Sequence, residues 1–138
     1  MRSNGRRAAR RQAVFMLYQH DVTGLPWEEI EENAERERGH EIDPYTRAMI
    51  DGVTVRRETI DAAIDTAASG WSVDRIAPLE RNILRVAVNE LIAEDAIPTA
   101  VAIDEAVEMA KRYCQVDAAA FVNGILGAVA SHVRSRTG

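Results

Sequence analysis

The chain has 138 residues, 46% of them hydrophobic, and a formal net charge of -5. That apolar content supports a folded core and excludes wholesale disorder, and the single cysteine, Cys114, excludes an intrachain disulfide or a cysteine-built zinc site. No apolar run reaches the roughly 18 residues of a membrane span, and the N-terminus lacks the apolar stretch of a secretory signal, so no membrane and a cytoplasmic location are expected.

The first predicted helix runs from about Asn4 to Tyr18 or Asp21, with Val14, Leu17 and Tyr18 at helical spacing toward a core. Thr23 to Pro26 reads as a linker, and Trp27 to Arg38 as an acidic surface helix ended by Gly39, with Glu32 and Arg36 as an i,i+4 pair. Asp43 and Pro44 supply a cap and a first turn for a third helix to about Ala68. Within it, Gly52 marks a bend or a close helix contact. Ser69-Gly70 is a break, followed by a short irregular stretch to Pro78 with one helical turn after Ser72.

A fourth long helix is expected over Leu79 to Glu94, with Ile83, Leu84, Ala87, Val88 and Leu91 facing inward. Thr99 is read as the cap of a helix over Ala100 to Tyr113, and Asp117 as the cap of a last helix ending near Val133. All four prolines fall at predicted boundaries and no segment alternates with period two. The expected fold is therefore all-α, a compact bundle of six or seven helices. Residues 1–138 form one domain, with 1–69 and 70–138 as its two small helical subdomains.

Charge is segregated along the chain. Residues 1–20 hold Arg2, Arg6, Arg7, Arg10 and Arg11 and no acid, whereas residues 28–43 hold eight acids against Arg36 and Arg38. Local fields steer a charged partner, not the total. Like charges four apart are mildly unfavourable in a helix, and positive charge at its start opposes the macrodipole. Both penalties make sense if an anion binds there. Several arginines in one strip suit phosphates through charge-assisted bonds; a solvated basic face is the plainer alternative, and the pattern alone does not choose RNA over DNA. A high-GC genome would explain the overall excess of arginine but not the cluster.

Catalytic patterns are weak. No phosphate-binding loop, zinc-protease or serine-hydrolase motif is present, and His20, His40 and His132 lie far apart. Asp104 and Glu108 share a helix face, but Glu108 can pair with Lys111 or Arg112 instead of doing acid–base work. Phe121, four residues after Asp117, is either core or a base-stacking ring at a helix start. Arg85 reads as an interhelix group paired with Glu90 or Glu105. No catalytic residue, metal ligand or cofactor is assigned.

Four segments taken together carry a resemblance. They are Arg6 to Tyr18 (RRAARRQAVFMLY), Glu80 to Leu91 (ERNILRVAVNEL), Pro98 to Lys111 (PTAVAIDEAVEMAK) and Phe121 to Leu126 (FVNGIL). In this order and spacing the chain resembles the NusB family of transcription antitermination factors, from about Arg6 to Val133. The resemblance implies an all-helical fold of two subdomains and no catalysis. It implies binding to boxA-type ribosomal leader RNA with a NusE-like small-subunit ribosomal protein, within the RNA polymerase antitermination complex.

By position, Arg6, Arg7, Arg10 and Arg11 match the family's RNA-binding segment, and Asp117 and Phe121 its second RNA-contacting group. Arg85 falls near the RNA-facing or interhelix surface, and Tyr18 and Glu80 on the protein-partner surface. Asn123 and Gly124 read as fold residues. Ala118, Ala119 and Ala120 stand where polar or basic residues occur in other members, which weakens the second RNA contact. Some members self-associate, so a homodimer and a monomer both stay open. A helical adaptor that binds only proteins is the competing reading. NusB-like domains also precede RNA methyltransferase domains, but this chain holds no nucleotide-binding motif for one.

Overall fold

A computed structural model of the protein describes residues 3–94 and 96–134. Among the described residues there are seven α-helices, one 3-10 turn and no strand. The helices are α1 (Ser3–Thr23), α2 (Trp27–Arg38), α3 (Pro44–Val55), α4 (Arg57–Ala67), α5 (Pro78–Ala93), α6 (Thr99–Tyr113) and α7 (Ala118–Arg134), with the 3-10 turn at Val73–Arg75. Arg2 lies outside the described residues. Among them, no helix is long and apolar enough to cross a membrane.

Local chemistry sets most of the helix ends. The Asp43 carboxylate accepts from the Tyr45 N–H at 2.7 Å, and Pro44 starts α3. Gly39 closes α2 at φ 76°, a left-handed conformation that costs glycine little. The expected cap at Thr99 is not made: Pro98 precedes the helix, Thr99 is its first residue, and the Thr99 hydroxyl accepts from Arg134 at 3.2 Å. Asp117 flanks α7, its carbonyl accepting from the Phe121 N–H at 3.3 Å. On α2, Arg36 donates to Asn33 at 2.9 Å rather than pairing with Glu32.

The single third helix expected to Ala68 is two helices. The chain turns at Arg56, φ -101° and ψ 16°. The physical reason is packing: α3 lies on α1 and α5, whereas α4 lies on α5 and α7. One straight rod could not bury Met49 and Val53 in the first setting and Ile60 and Ile64 in the second.

Helix α5 is the centre of the bundle and packs against α1, α3, α4, α6 and α7. Every residue from Asn82 to Leu91 is buried. A helix buried on all sides is usually apolar all round, yet this one buries Asn82, Arg85, Asn89 and Glu90, so each needs partners. Its C-terminal carbonyls are closed from α7: Arg134 donates to the carbonyls of Glu90, Leu91 and Glu94, and also to that of Ile97.

Gly52 marks a close helix contact. A Cβ there would stand 2.7 Å from the Asn89 amide nitrogen and 3.0 Å from Arg56. Asn89 is buried and accepts from Arg56 at 3.0 Å, so it has little room to give. Gly52→Ala gains about 1 kcal/mol of helix propensity and loses about 1–3 kcal/mol to overpacking. A lower denaturation midpoint is expected, where an open helix position would show a higher one.

Candidate nucleic-acid interface

The N-terminal arginines divide into two groups. Arg7 is exposed, with Nε 2.8 Å from a Glu105 carboxylate oxygen on α6. Arg11 is half-buried and makes no hydrogen bond or ion pair with the described residues. Arg6 is half-buried, its guanidinium carbon 5.1 Å from the centre of the Tyr45 ring. The Arg6 Nε is buried without a hydrogen-bond partner among the described residues. Burial pushes the Tyr45 phenol above its ordinary pKa.

Arg10 and Arg85, both expected among the RNA contacts, are buried inside the bundle. Arg10 is 4% exposed and meets the Glu90 carboxylate with Nε at 3.0 Å and Nη2 at 2.6 Å, joining α1 to α5. Arg85 is 2% exposed and meets Asp61 of α4 at 2.9 and 3.1 Å and Asp21 of α1 at 3.3 Å. It is an interhelix group, but its partners are these aspartates and neither Glu90 nor Glu105. Arg10 faces α5 and Arg85 lies on α5 itself, both at buried positions where a charge must be matched to stay. Glu108 is not ion-paired with Lys111 or Arg112 among the described residues.

Burial raises the Glu90 carboxyl above its ordinary pKa even though the hydrogen bonds and charge of Arg10 pull it down. Desolvation outweighs the pairing there. Asp21 goes the other way. Burial alone would raise it, but Arg81 and Asn82 hydrogen-bond it, and with the charges of Arg81 and Arg85 they hold it below its ordinary value. Its contribution to stability is full above that ordinary value and is lost as pH falls through the lowered one.

Two clefts lie side by side. A basic cleft of about 300 Å³ is lined by Arg7, Arg10, Arg11 and Arg112 against Asp104, Glu105 and Glu108, with Met109 and Tyr113. A larger aromatic cleft of about 510 Å³ brings together Tyr18 of α1, Glu80 of α5, Phe121 of α7 and Asp117 just before α7. The second RNA-contacting pair and the two partner residues expected from the sequence thus share one cleft. Its remaining aromatic wall is Trp71, 54% exposed, and Tyr113; the sequence signal for Trp71 is no more than a tryptophan directly after the Ser69-Gly70 break.

The walls of the aromatic cleft are held from outside. Arg81 donates to Asp21 at 2.9 Å and to the carbonyls of Val73, Asp74 and Ile76, which pins the 3-10 turn against α5. Tyr113 packs edge-on against Phe15, ring centres 5.0 Å apart. Burial pushes the Glu80 carboxyl above its ordinary pKa, and the Asp117 charge adds to the rise. Burial likewise raises the Cys114 thiol, with Glu80 adding to it. Of the histidines, His20 stacks on Trp27 at 4.3 Å, and no cluster of metal-ligating side chains occurs among the described residues.

A basic strip opening beside an aromatic cleft, on a bundle of seven helices, defines a helical protein suited to gripping a flexible polyanion. Comparison with known proteins gives the family. Residues 7–131 match the NusB family. The transcription antitermination protein NusB of Rubrobacter xylanophilus is 39% identical over 133 residues, covering 96% of this chain and 95% of that one. That of Thermobifida fusca is 40% identical over 125 residues, covering 91% and 88%. Among solved structures, T. maritima NusB aligns with a TM-score of 0.81 at 36% identity, covering 91% of this chain and 90% of that one. A chain from a crystal structure of antitermination factors NusB and NusE in complex with dsRNA aligns with a TM-score of 0.84 at 28% identity, covering 95% and 99%. The chain belongs to the NusB family.

Two outcomes follow from the site's electrostatics. Glu90→Leu strands the buried Arg10 charge and lowers stability by about 3–5 kcal/mol. Adding Arg10→Met restores most of it, because packed apolar groups replace a buried ion pair at little net cost. Denaturant titration reads both. Because the Glu80 pKa is raised in the fold, its ionisation costs stability as pH rises through that value. Asp117→Asn removes a like charge, so the Glu80 carboxyl titrates at lower pH than in the unaltered protein, read by NMR of its side-chain carbon.

Proposed function

We propose that this protein is a non-catalytic transcription antitermination factor. It binds boxA-type ribosomal leader RNA together with a NusE-like small-subunit ribosomal protein, and the pair joins the RNA polymerase antitermination complex to suppress premature termination. The observation that carries this reading is the adjacency of the α1 arginine strip and the aromatic cleft. Phosphates meet Arg6, Arg7 and Arg11, and unpaired bases stack where Phe121 and Asp117 begin α7. Tyr18 and Glu80 face the protein partner from the same cleft, so RNA and partner are held next to each other. Arg10 and Arg85 act from inside, holding α1 and α5 in place. The relatives' shared name supports the reading, and a solved neighbour of the same fold holds NusE and double-stranded RNA.

Residues 1–138 act as one RNA-binding domain here, without cofactor, in the interior of the cell. The test is titration of a fluorescent boxA-type RNA with the protein, alone and with its NusE-like partner, at two salt concentrations, against a scrambled RNA. Tighter, sequence-dependent binding with the partner is expected. Arg11→Gln should weaken it and reduce the salt slope by about 0.7, the value for one phosphate contact on a single strand. No binding by the folded pair would leave the protein-only adaptor instead.

A further inference from the structure

Tyr113 lines both clefts, and Arg112 precedes it in the last turn of α6. Tyr113 is 39% exposed, and its edge-on contact with Phe15 fixes the plane of the ring. A rigid, half-open ring is the kind of platform on which a base stacks. Arg112 is exposed and makes no hydrogen bond or ion pair with the described residues. Its neighbours on the basic cleft differ: Arg7 is engaged by Glu105 and Arg10 by Glu90. Arg11 and Arg112 are thus the two cations lining this cleft whose charge is uncommitted.

At the far end of the path, Ala118, Ala119 and Ala120 supply no charge at the start of α7, and the cleft sets one cation, Arg75, against Glu80 and Asp117. A strand leaving the α1 arginines for Phe121 must pass the end of α6, and its phosphates need a cation there. We propose that Arg112 and Tyr113 form a bridging subsite for single-stranded RNA. Arg112 grips a phosphate and Tyr113 stacks the adjoining base between the arginine strip and the Phe121 cleft. This rests on the RNA-binding reading above and adds two residues to it.

The alternative for Arg112 is a purely local one, since a cation in a last helical turn complements the helix dipole. Lys111 shares that turn and the same charge but does not line the cleft. The test is therefore RNA titration of the full chain with its partner for Arg112→Gln, Lys111→Gln and Arg11→Gln, with melting curves to verify folding. Arg112→Gln should weaken binding about tenfold and lower the salt slope by about 0.7, the effect of one lost phosphate contact on a single strand. Lys111→Gln should leave both nearly unchanged. Tyr113→Leu, which keeps apolar contact with Phe15, should weaken binding and leave the salt slope unaltered, because stacking releases no counterions. Wild-type affinity and slope for Arg112→Gln, or an equal loss for Lys111→Gln, would overturn the subsite while Arg11→Gln still weakened binding. If Arg11→Gln also had no effect, the arginine-strip reading itself would fall.

Discussion

The ion pair between Arg10 and Glu90 decides where the arginine helix lies. Both side chains are almost wholly buried, and the guanidinium meets the carboxylate through two nitrogens. A charge in that setting cannot be left alone, so α1 has one register and one rotation against α5. Arg6, Arg7 and Arg11 follow from it. With Arg10 turned inward, its helical neighbours are spread across the flanking strips, over Tyr45 on one side and the basic cleft on the other. The Thr46 hydroxyl, donating to the Ala9 carbonyl at 3.1 Å, adds a second fixed point.

A second buried arginine does for the other end of α1 what Arg10 does for the first. Arg85 collects Asp61 from α4 and Asp21 from α1, and Asp21 also receives Arg81 and Asn82. Three helices meet at one charge, beside the turn that forms the wall of the aromatic cleft. Stability and site geometry are therefore set by the same groups. The net gain from such pairs is small, but the cost of breaking one is large, which favours a single arrangement over alternatives.

The surface pairs are of another kind. The Arg7–Glu105 pair is exposed on the arginine side, so it is weak in water and sensitive to salt. A phosphate can take the place of Glu105 at modest cost, which it could not do at Arg10. Along the chain the arginines of α1 are separated from the acids of α2, and the acids that line the strip's cleft, Asp104, Glu105 and Glu108, come from α6.

What the sequence determined by itself is the local part. Capping residues and prolines marked the helix ends, the 3.6-residue period marked inward faces, and the run of arginines without acids marked the basic strip. Each of these depends on neighbours within a turn or two, so each is written in consecutive residues. Only the tertiary structure decided which charges stay free. Arg7, Arg10 and Arg11 look alike in the chain, yet one meets a half-buried acid, one a buried acid and one none, because Glu105 and Glu90 arrive from α6 and α5. The split at Arg56 and the burial of the polar side of α5 were hidden for the same reason. Whether a polar residue lies inside depends on a partner distant in sequence, and no local pattern records where that partner will be.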